Sequence, residues 1–279
     1  MSISPSDPGS GKAMGLSIPL KSNKRLRVNA SLFCFNFLPI MKLMGSLISI
    51  FFLAVAFNVA AQSDPAVVKK CNDFEIDGKG SSSEWNKTEW QVHTKIQKSD
   101  LNHQTKSKVL YSPKGIYVLF SGEDQKITTK DYKDFEEIYD GDVFEVFFHP
   151  KPELPQYFEY EVNQLGRELT LTLARSKGNT VAWSPWHYEY NKKQIIQRKV
   201  NVVGGKPEVG ASIKSWTAEV FFPNEIFALM SGTPPQSGDV WRANFCRIDY
   251  DNGLLEWTWS PGIKKSFHEL EAFRSIRFE

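Results

Sequence analysis

Residues 142–149 read DVFEVFFH and residues 157–163 read YFEYEVN, and these two runs decide the fold. Side chains alternate in character along each run, as they do in a β-strand, where successive side chains point to opposite faces. One face of the pair is apolar, whereas the other carries three glutamates, Glu145, Glu159 and Glu161. The pattern predicts two neighbouring strands that bury one face and leave the other open to solvent or to a ligand.

Similar short runs continue along the chain between turns rich in Gly, Pro, Ser and Asp. Val, Ile, Phe, Tyr, Trp and Thr, which favour strands, dominate these runs. Their near-regular spacing predicts an all-β protein, an antiparallel β-sandwich of jelly-roll or immunoglobulin-like type. Residues 223–230 are predicted to form a short helix that opens with proline, and residues 131–139 a helical turn. The runs are GIYVLFS (115–121), RELTLTLA (167–174), QIIQRKVNVV (194–203), WTAEVFF (216–222) and VWRANFCRID (240–249).

The N-terminal part of the chain has the pattern of a leader. An uncharged apolar run follows Met41 and Lys42 and ends in small residues at Ala61, which is typical of a secretory signal peptide over 41–61. A membrane-anchor helix is the alternative. Residues 1–40 lack apolar periodicity and are interpreted as a disordered or over-called extension. The predicted domain is therefore 62–279, in a secreted, periplasmic or extracellular protein with no stable membrane insertion after cleavage.

Trimming the leader changes the charge of the chain. The full sequence has 34 basic and 32 acidic residues, but residues 62–279 retain 28 basic and 31 acidic residues, a net charge of −3. Nucleic acid is an unfavourable partner, because phosphate binding needs concentrated positive charge.

Cysteines and clustered acids are the candidates for a cross-link and a cation site. Cys71 and Cys246 are the two cysteines left after the leader, and in an oxidising compartment they are a candidate disulfide. Asp140 and Asp142 offer oxygen ligands to Ca²⁺, although their spacing does not match an EF-hand loop and a solvated acidic turn is the alternative. Ca²⁺ is the only cofactor left open.

Aromatic side chains provide candidate sugar platforms, because an exposed ring buries the C–H face of a saccharide. Trp257 and Trp259 lie in EWTWSPG, and their spacing of two puts both indoles on one face of a strand. Core packing and ligand stacking both remain open for this pair. Trp183 lies in AWSPWHYEY, predicted to be a loop, where packing against the sheet is the alternative to binding.

The three glutamates also admit a glycosidase hypothesis, which needs two carboxylates across the scissile bond.

The order of these segments resembles the family 9 carbohydrate-binding module and its DOMON-like relatives. EIDG with EW (75–85), GIYVLFSGED, DGDVFEVFFHP and YFEYEVNQLG are similar to its opening and central strands. WTAEVFFP, VWRANFCRIDYDN, WTWSP and FHELEAFRSIRF are similar to its closing strands.

This resemblance implies a β-sandwich that clamps a saccharide between two tryptophans. Trp259 matches the tryptophan of the closing motif, whereas Phe147 stands where the family has the partner tryptophan. Glu161 and Asn163 fall near the family's polar ligands, with glutamate at a position that is often basic.

The first hypothesis is a secreted, non-catalytic protein that binds an oligo- or polysaccharide, within polysaccharide breakdown. Trp259 and Phe147 would stack on the sugar, and Trp257 would support them. Four further side chains would hydrogen-bond to it: Glu145, Glu161, Asn163 and Asn244. The alternatives are a glycoside hydrolase component that uses Glu145 and Glu161, and a cell-envelope interaction domain whose aromatics form the core.

Overall fold

Fourteen β-strands and five short 3₁₀ helices account for the regular structure of the described residues. The computed structural model describes residues 64–190, 192, 195–228, 230 and 234–279. The predicted signal peptide at 41–61 and the predicted extension at 1–40 lie outside these residues. None of the described helices has the length and apolar character needed to cross a membrane.

The strands, numbered in chain order, are short and evenly distributed. They are β1 Ala66–Lys70, β2 Gln91–Val92, β3 Thr94–Lys95, β4 Thr105–Tyr111, β5 Gly115–Glu123, β6 Val143–His149, β7 Gln156–Asn163, β8 Glu168–Ser176, β9 Asn179–Pro185, β10 Gln197–Val203, β11 Ser215–Pro223, β12 Val240–Asp249, β13 Leu255–Thr258 and β14 Arg274–Phe278. The 3₁₀ helices are Ser83–Lys87, Ile138–Asp140, Tyr188–Tyr190, Asn224–Phe227 and Leu270–Ala272.

Two sheets share β1 and form a sandwich. The front sheet runs β1-β14-β12-β6-β7-β8-β9, and the back sheet runs β10-β11-β5-β4-β1. Short strands extend both sheets, since β13 pairs with β12, β3 with β13, and β2 with β4. The strand pairs are antiparallel except those of β1, which lies parallel to both β14 and β4. The predicted sandwich is confirmed, and β1 departs from the expected antiparallel pairing because it links the two sheets.

The main core lies between the two sheets and is built from the apolar faces that the alternation predicts. Phe144 of the front sheet stacks on Trp216 of the back sheet with ring centroids 3.7 Å apart, and on Phe120 at 4.7 Å. Such pairs add to the gain from burial alone. Front-sheet residues of this core include Phe144, Val146, Phe148, Phe158, Tyr160, Val162, Trp241 and Phe245.

Two smaller clusters cover the outer faces of the sandwich. Residues 71–90 pack against the back sheet through Trp85. Residues 263–273 pack against the front sheet through Ile263, Phe267 and Phe273. The outer face of β6 and β7 is therefore not fully open to solvent, in contrast to the prediction, because part of it is covered by this late segment and the rest forms the floor of a cavity.

The predicted strand runs agree closely with the observed strands, and the predicted helical segments are shorter than expected. All seven quoted runs contain strands, namely β5, β6, β7, β8, β10, β11 and β12. The predicted helix at 223–230 is a single 3₁₀ turn, Asn224–Phe227, which follows an extended Pro223. The helical turn predicted within 131–139 is present at its end, as Ile138–Asp140.

Candidate functional site

A cavity of about 510 Å³ opens on the outer face of the front sheet. Its floor consists of side chains from β6, β7 and β8, which point away from the core between the sheets. Its lining residues combine carboxylates, aliphatic side chains and aromatic rings. They are Phe135, Glu137, Tyr139, Glu145, Glu159, Glu161, Leu169, Leu171, Leu173, Thr180, Trp183, Pro185, Ile248, Glu256, Lys265, Ser266, Phe267 and His268.

Strand register brings the three glutamates of the opening runs together. Glu145 on β6 lies directly opposite Glu161 on β7, and Glu159 is two residues along β7 on the same face. One carboxylate oxygen from each lies within 4.8 Å of the others. All three side chains are buried, and among the described residues neither Glu159 Oε2 nor Glu161 Oε2 has a hydrogen-bond partner. Within the described residues, the floor thus contains two buried carboxyl oxygens that accept no hydrogen bond.

Burial and mutual repulsion disfavour the ionised form of these carboxyls. Burial raises the pKa of Glu159 to about 8. Burial, followed by repulsion from the neighbouring glutamates, raises the pKa values of Glu145 and Glu161 well above the ordinary glutamate value. His268 also lines the cavity, and burial lowers its pKa to about 4, so that it is neutral at neutral pH.

Trp183 provides an open aromatic ring in the wall of this cavity. It lies on the edge strand β9, opposite Leu173 of β8, and is 59 % exposed. An exposed indole beside buried polar groups matches the usual composition of a small-molecule site, with apolar walls and a few polar groups that fix orientation. Trp183 is thus exposed rather than packed against the sheet, and it lies in a strand rather than in the predicted loop.

Trp257 and Trp259 share one face, as their spacing predicts, but that face is turned inward. Trp259 is 4 % exposed and packs against Phe245, and the guanidinium of Arg274 lies 4.2 Å from its ring centroid. Trp257 is 2 % exposed, and the guanidinium carbon of Arg247 lies 5.1 Å from its ring centroid. Stacking a sugar on Trp259 would require displacing Arg274, so the ring is covered in this structure and its predicted role as a platform stays a prediction. The register of β12 and β13 places these indoles opposite the cavity face.

The three remaining predicted contacts also lie outside the cavity lining. Phe147 points to the cavity side of β6, but Phe267, Phe273 and His268 cover its ring. Burial of the whole ring leaves no face for stacking.

Asn163 and Asn244 use their amides to support the backbone. Asn163 Oδ1 accepts hydrogen bonds from the backbone N–H groups of Leu165 and Arg167, which closes the β7–β8 turn. Asn244 Oδ1 accepts from Thr258 Oγ1 and from the backbone N–H of Ser260, both at 3.0 Å. Of the seven predicted contacts, the structure therefore brings Glu145 and Glu161 together in the cavity and places the other five elsewhere.

The two aspartates predicted to bind Ca²⁺ do not share a site. Asp140 is exposed, with its carboxylate 3.8 Å from Lys130 Nζ. Asp142 is buried and accepts hydrogen bonds from Gln164 Nε2 at 2.8 Å and from the backbone N–H of Tyr250 at 2.7 Å. Burial and neighbouring aspartates raise the pKa of Asp142 to about 8.

Asp142 belongs to an acidic cluster of a different kind from the glutamate floor. Its carboxylate lies within 4.8 Å of those of Asp124 and Asp251. Arg247 balances this cluster, with Nη2 3.1 Å from Asp124 and a second ion pair to Asp249. Among the described residues, the groups whose geometry could hold a cation are this cluster, the three glutamates, and His103 with Asp249 and Asp251.

The predicted disulfide is not formed. Cys71 and Cys246 are both free and buried. Cys71 packs in the cluster on the back sheet, and Cys246 packs in the cluster on the outer face of the front sheet. The sandwich lies between the two clusters, so the thiols cannot approach without rebuilding the fold.

Several lining residues were not predicted. Glu256 and His268 come from segments far along the chain, and Tyr139 comes from the 3₁₀ turn Ile138–Asp140 before β6. Glu256 could have been found from the sequence, since its alternation with Trp257 puts it on the cavity face once Trp257 is known to be buried. Neither His268 nor Tyr139 has a local pattern that marks it, because each reaches the cavity through the tertiary packing of a segment outside the strands.

Comparison with known proteins supports the same fold. Residues 76–224 match the family described as carbohydrate family 9 binding domain-like. A search of curated proteins finds no match. Among solved structures, a proposed carbohydrate-binding protein from Bacteroides uniformis ATCC 8492 is similar, with 18 % identity, a TM-score of 0.63, and coverage of 77 % of this chain and 99 % of that one.

A family 9 carbohydrate-binding module from Caldicellulosiruptor kristjanssonii is similar in two solved complexes. Its complex with cellotriose shares 14 % identity and a TM-score of 0.54, with 77 % of this chain and 93 % of that chain covered. Its complex with glucose has the same identity and TM-score and covers 95 % of that chain. At these identities the likeness concerns the fold, whereas the family match spans more than half of the sequence. The chain belongs to the carbohydrate family 9 binding domain-like family.

Proposed function

We propose that the protein is a secreted, non-catalytic carbohydrate-binding protein whose site is the cavity on the front sheet. The observation that carries the proposal is the exposed ring of Trp183 in the same cavity as the buried carboxylates of Glu145 and Glu161. A pyranose ring would place its C–H face on the indole, and its hydroxyls would hydrogen-bond to the carboxyl groups of the floor.

Family membership supports a saccharide as the ligand class. The relative from Caldicellulosiruptor kristjanssonii was solved with cellotriose and with glucose, which makes short glucans the first ligands to test. The predicted signal peptide at 41–61 supports a secreted, periplasmic or extracellular location, and with it a role in polysaccharide breakdown.

The charge state of the floor favours binding over glycoside hydrolysis. A glycosidase needs one carboxyl that stays protonated and another that stays ionised, so their environments must move the two pKa values apart. Here burial raises the pKa values of Glu145, Glu159 and Glu161 together. None of the three is therefore set apart as an ionised nucleophile or base at neutral pH.

Titration with cellotriose, glucose and a broad glycan panel tests the proposal. Trp fluorescence should change on binding, and Trp183→Ala should weaken the affinity by about tenfold or more, because about 1.4 kcal/mol of stacking corresponds to a factor of ten. Trp90→Ala is the matched control, since Trp90 is a partly exposed indole on the back sheet under Lys106 and Lys108.

Three outcomes would contradict this function. Absence of binding to every glycan would favour the alternative of an interaction domain without a small ligand. Unchanged affinity in Trp183→Ala would remove the cavity as the site. Hydrolysis of model glycosides that disappears in Glu161→Gln would replace binding with catalysis.

A further inference from the structure

We infer that a second pocket, lined by β1, β2, β14 and residues 86–89, binds a uronate, a sugar acid whose carboxylate pairs with the guanidinium of Arg274. This inference goes beyond the proposed function, since the pocket shares no lining residue with the cavity on the front sheet. It follows from the position of Arg274, from the accessible donors of its guanidinium, and from the composition of the lining.

Arg274 lies at the start of β14, on the strand face that further along builds the main core. Ile276 and Phe278 follow it at spacings of two and four residues, and both are buried between the sheets. Arg274 therefore points towards the inner side of the sandwich, where an aliphatic side chain is the usual occupant. A pocket of about 440 Å³ opens there, within the size range of small-molecule sites.

The indole of Trp259 holds the guanidinium of Arg274 in this pocket. The guanidinium carbon lies 4.2 Å from the ring centroid, a distance typical of a cation–π contact. The N–H donors of a guanidinium lie in its own plane, so contact with an aromatic ring leaves them available. Gln91 fixes the indole in turn, because Gln91 Oε1 accepts a hydrogen bond from Trp259 Nε1 at 3.4 Å. The pocket thus contains a preorganised cation.

This cation has no carboxylate partner within the part of the chain that the structure describes. The arginines that pair with a carboxylate there are Arg198, Arg247 and Arg277. No nitrogen of Arg274 is enclosed without a partner, so its donors are accessible from the pocket that it lines. Burial lowers the pKa of Arg274 from its ordinary value, but an arginine side chain stays charged at neutral pH. A ligand anion would therefore meet a charged and accessible group.

The charge of the lining also favours an anion. Lys69 and Lys87 line the pocket together with Arg274, whereas Glu89 is the one acidic lining residue. Lys87 already pairs with Glu84 at 2.6 Å, which leaves Lys69 and Arg274 to balance a ligand. The front cavity, which five glutamates line, has the opposite character.

The polar groups beside Arg274 suit the hydroxyls of a sugar ring. Asn86, Thr88 and Gln91 line the pocket and supply two amides and a hydroxyl. A planar carboxylate can accept two parallel hydrogen bonds from the guanidinium fork, and a few polar groups around it would fix the orientation of the ring. Sulfate and phosphate groups are also anions that arginine binds, so both enter the test as competing ligands.

Calorimetric titration with a matched pair of sugars tests the inference. Glucuronate and its methyl ester share the pyranose ring and its hydroxyls, but the ester carries no charge. We expect glucuronate to bind about tenfold tighter or more, because about 1.4 kcal/mol from the carboxylate–guanidinium pair corresponds to a factor of ten. Equal affinities would overturn the inference. Sulfate alone or glucose 6-phosphate binding as tightly as glucuronate would show a general oxyanion site and would overturn the assignment to a uronate.

Two arginines of the same strand provide matched variants. Arg274→Gln removes the guanidinium and should reduce the glucuronate-to-ester affinity ratio to about threefold or less, whereas an unchanged ratio would refute the role of Arg274. Arg277→Gln is the control and should leave the ratio unchanged, since Arg277 pairs with Glu279 and does not line the pocket. Thermal unfolding followed by circular dichroism checks that both variants are folded.

The inference and the proposed function fail in different ways. Trp183→Ala should leave glucuronate affinity unchanged, and a loss of glucuronate binding in this variant would place the uronate in the front cavity and overturn the second pocket. If cellotriose binds and glucuronate does not, the inference fails and the proposed function stands. If glucuronate binds through Arg274 and no glycan binds through Trp183, the front cavity is refuted and the inference stands.

Discussion

Replacing Glu159 by glutamine is expected to stabilise the ligand-free protein above neutral pH. Glu159 is 4 % exposed, its Oε2 has no partner among the described residues, and burial raises its pKa from 4.5 to about 8. The folded protein therefore holds a proton that the unfolded chain releases. The stabilisation from this proton is complete below pH 4.5 and is lost as the pH rises from 4.5 to about 8.

The size of the effect follows from the same two pKa values. At about 1.4 kcal/mol for each pH unit between them, the contribution of this one carboxyl has an upper limit of about 5 kcal/mol. Between these pH values the wild-type free energy of unfolding should therefore fall by up to about 1.4 kcal/mol per pH unit because of Glu159. Glutamine has the same shape and does not ionise, so the variant lacks this part of the slope. Removal of its charge also relieves repulsion on Glu161.

Urea unfolding at a series of pH values measures this prediction. The free energy of unfolding, extrapolated to zero urea, is compared between wild type and Glu159→Gln in the absence of saccharide and of divalent cations. Glu208→Gln is the control and should parallel the wild type, since it removes one exposed glutamate away from the cavity lining. Parallel pH profiles for wild type and Glu159→Gln would refute the reasoning, because they would mean that Glu159 ionises at the same pH in the folded and unfolded states.

Three further predictions concern residues away from the cavity. Trp259→Ala should lower the free energy of unfolding by about 3–5 kcal/mol, because it empties a core position; a loss below about 1 kcal/mol in urea unfolding would contradict the buried role. His93 is buried, and burial lowers its pKa from 6.5 to about 3. Its stabilisation should therefore be present above pH 6.5 and lost as the pH falls towards 3, and His93→Gln should flatten this acid limb, whereas an unchanged limb would refute the assignment. Because Cys71 and Cys246 are free, a thiol reductant should leave the melting temperature unchanged, and a fall of several degrees would indicate a disulfide.

The alternation of side chains was enough to predict the strands and their relative faces. The prediction that β6 and β7 are neighbours, with Glu145, Glu159 and Glu161 on one face, is confirmed by their register. The strands are short and their two faces differ sharply in polarity, so a shift of one residue would bury the carboxylates between the sheets. This is why the predicted sandwich and its inner core agree with the structure.

The roles of the aromatic residues were predicted less well. Trp257 and Trp259 share a face, as expected, but the outer face of the front sheet is also partly apolar, because residues 263–273 cover it. Apolar character therefore does not reveal which side of the strand faces the core. Trp183 is an apolar residue that is exposed, and its exposure depends on β9 being the edge strand of the sheet.

The sequence by itself determined the fold class, the strand positions and the gathering of three glutamates on one face. Side chains alternate between the two faces along each strand, and directly paired residues of neighbouring strands lie on the same face. Only the tertiary structure decided that those glutamates form the floor of a cavity, that Trp183 stands at its wall, and that Trp259 packs under Arg274. These placements depend on which sheets and loops cover each face, and those contacts join residues that are far apart in the chain. A local pattern cannot encode them, because the same alternation is compatible with either side of a sheet facing the core.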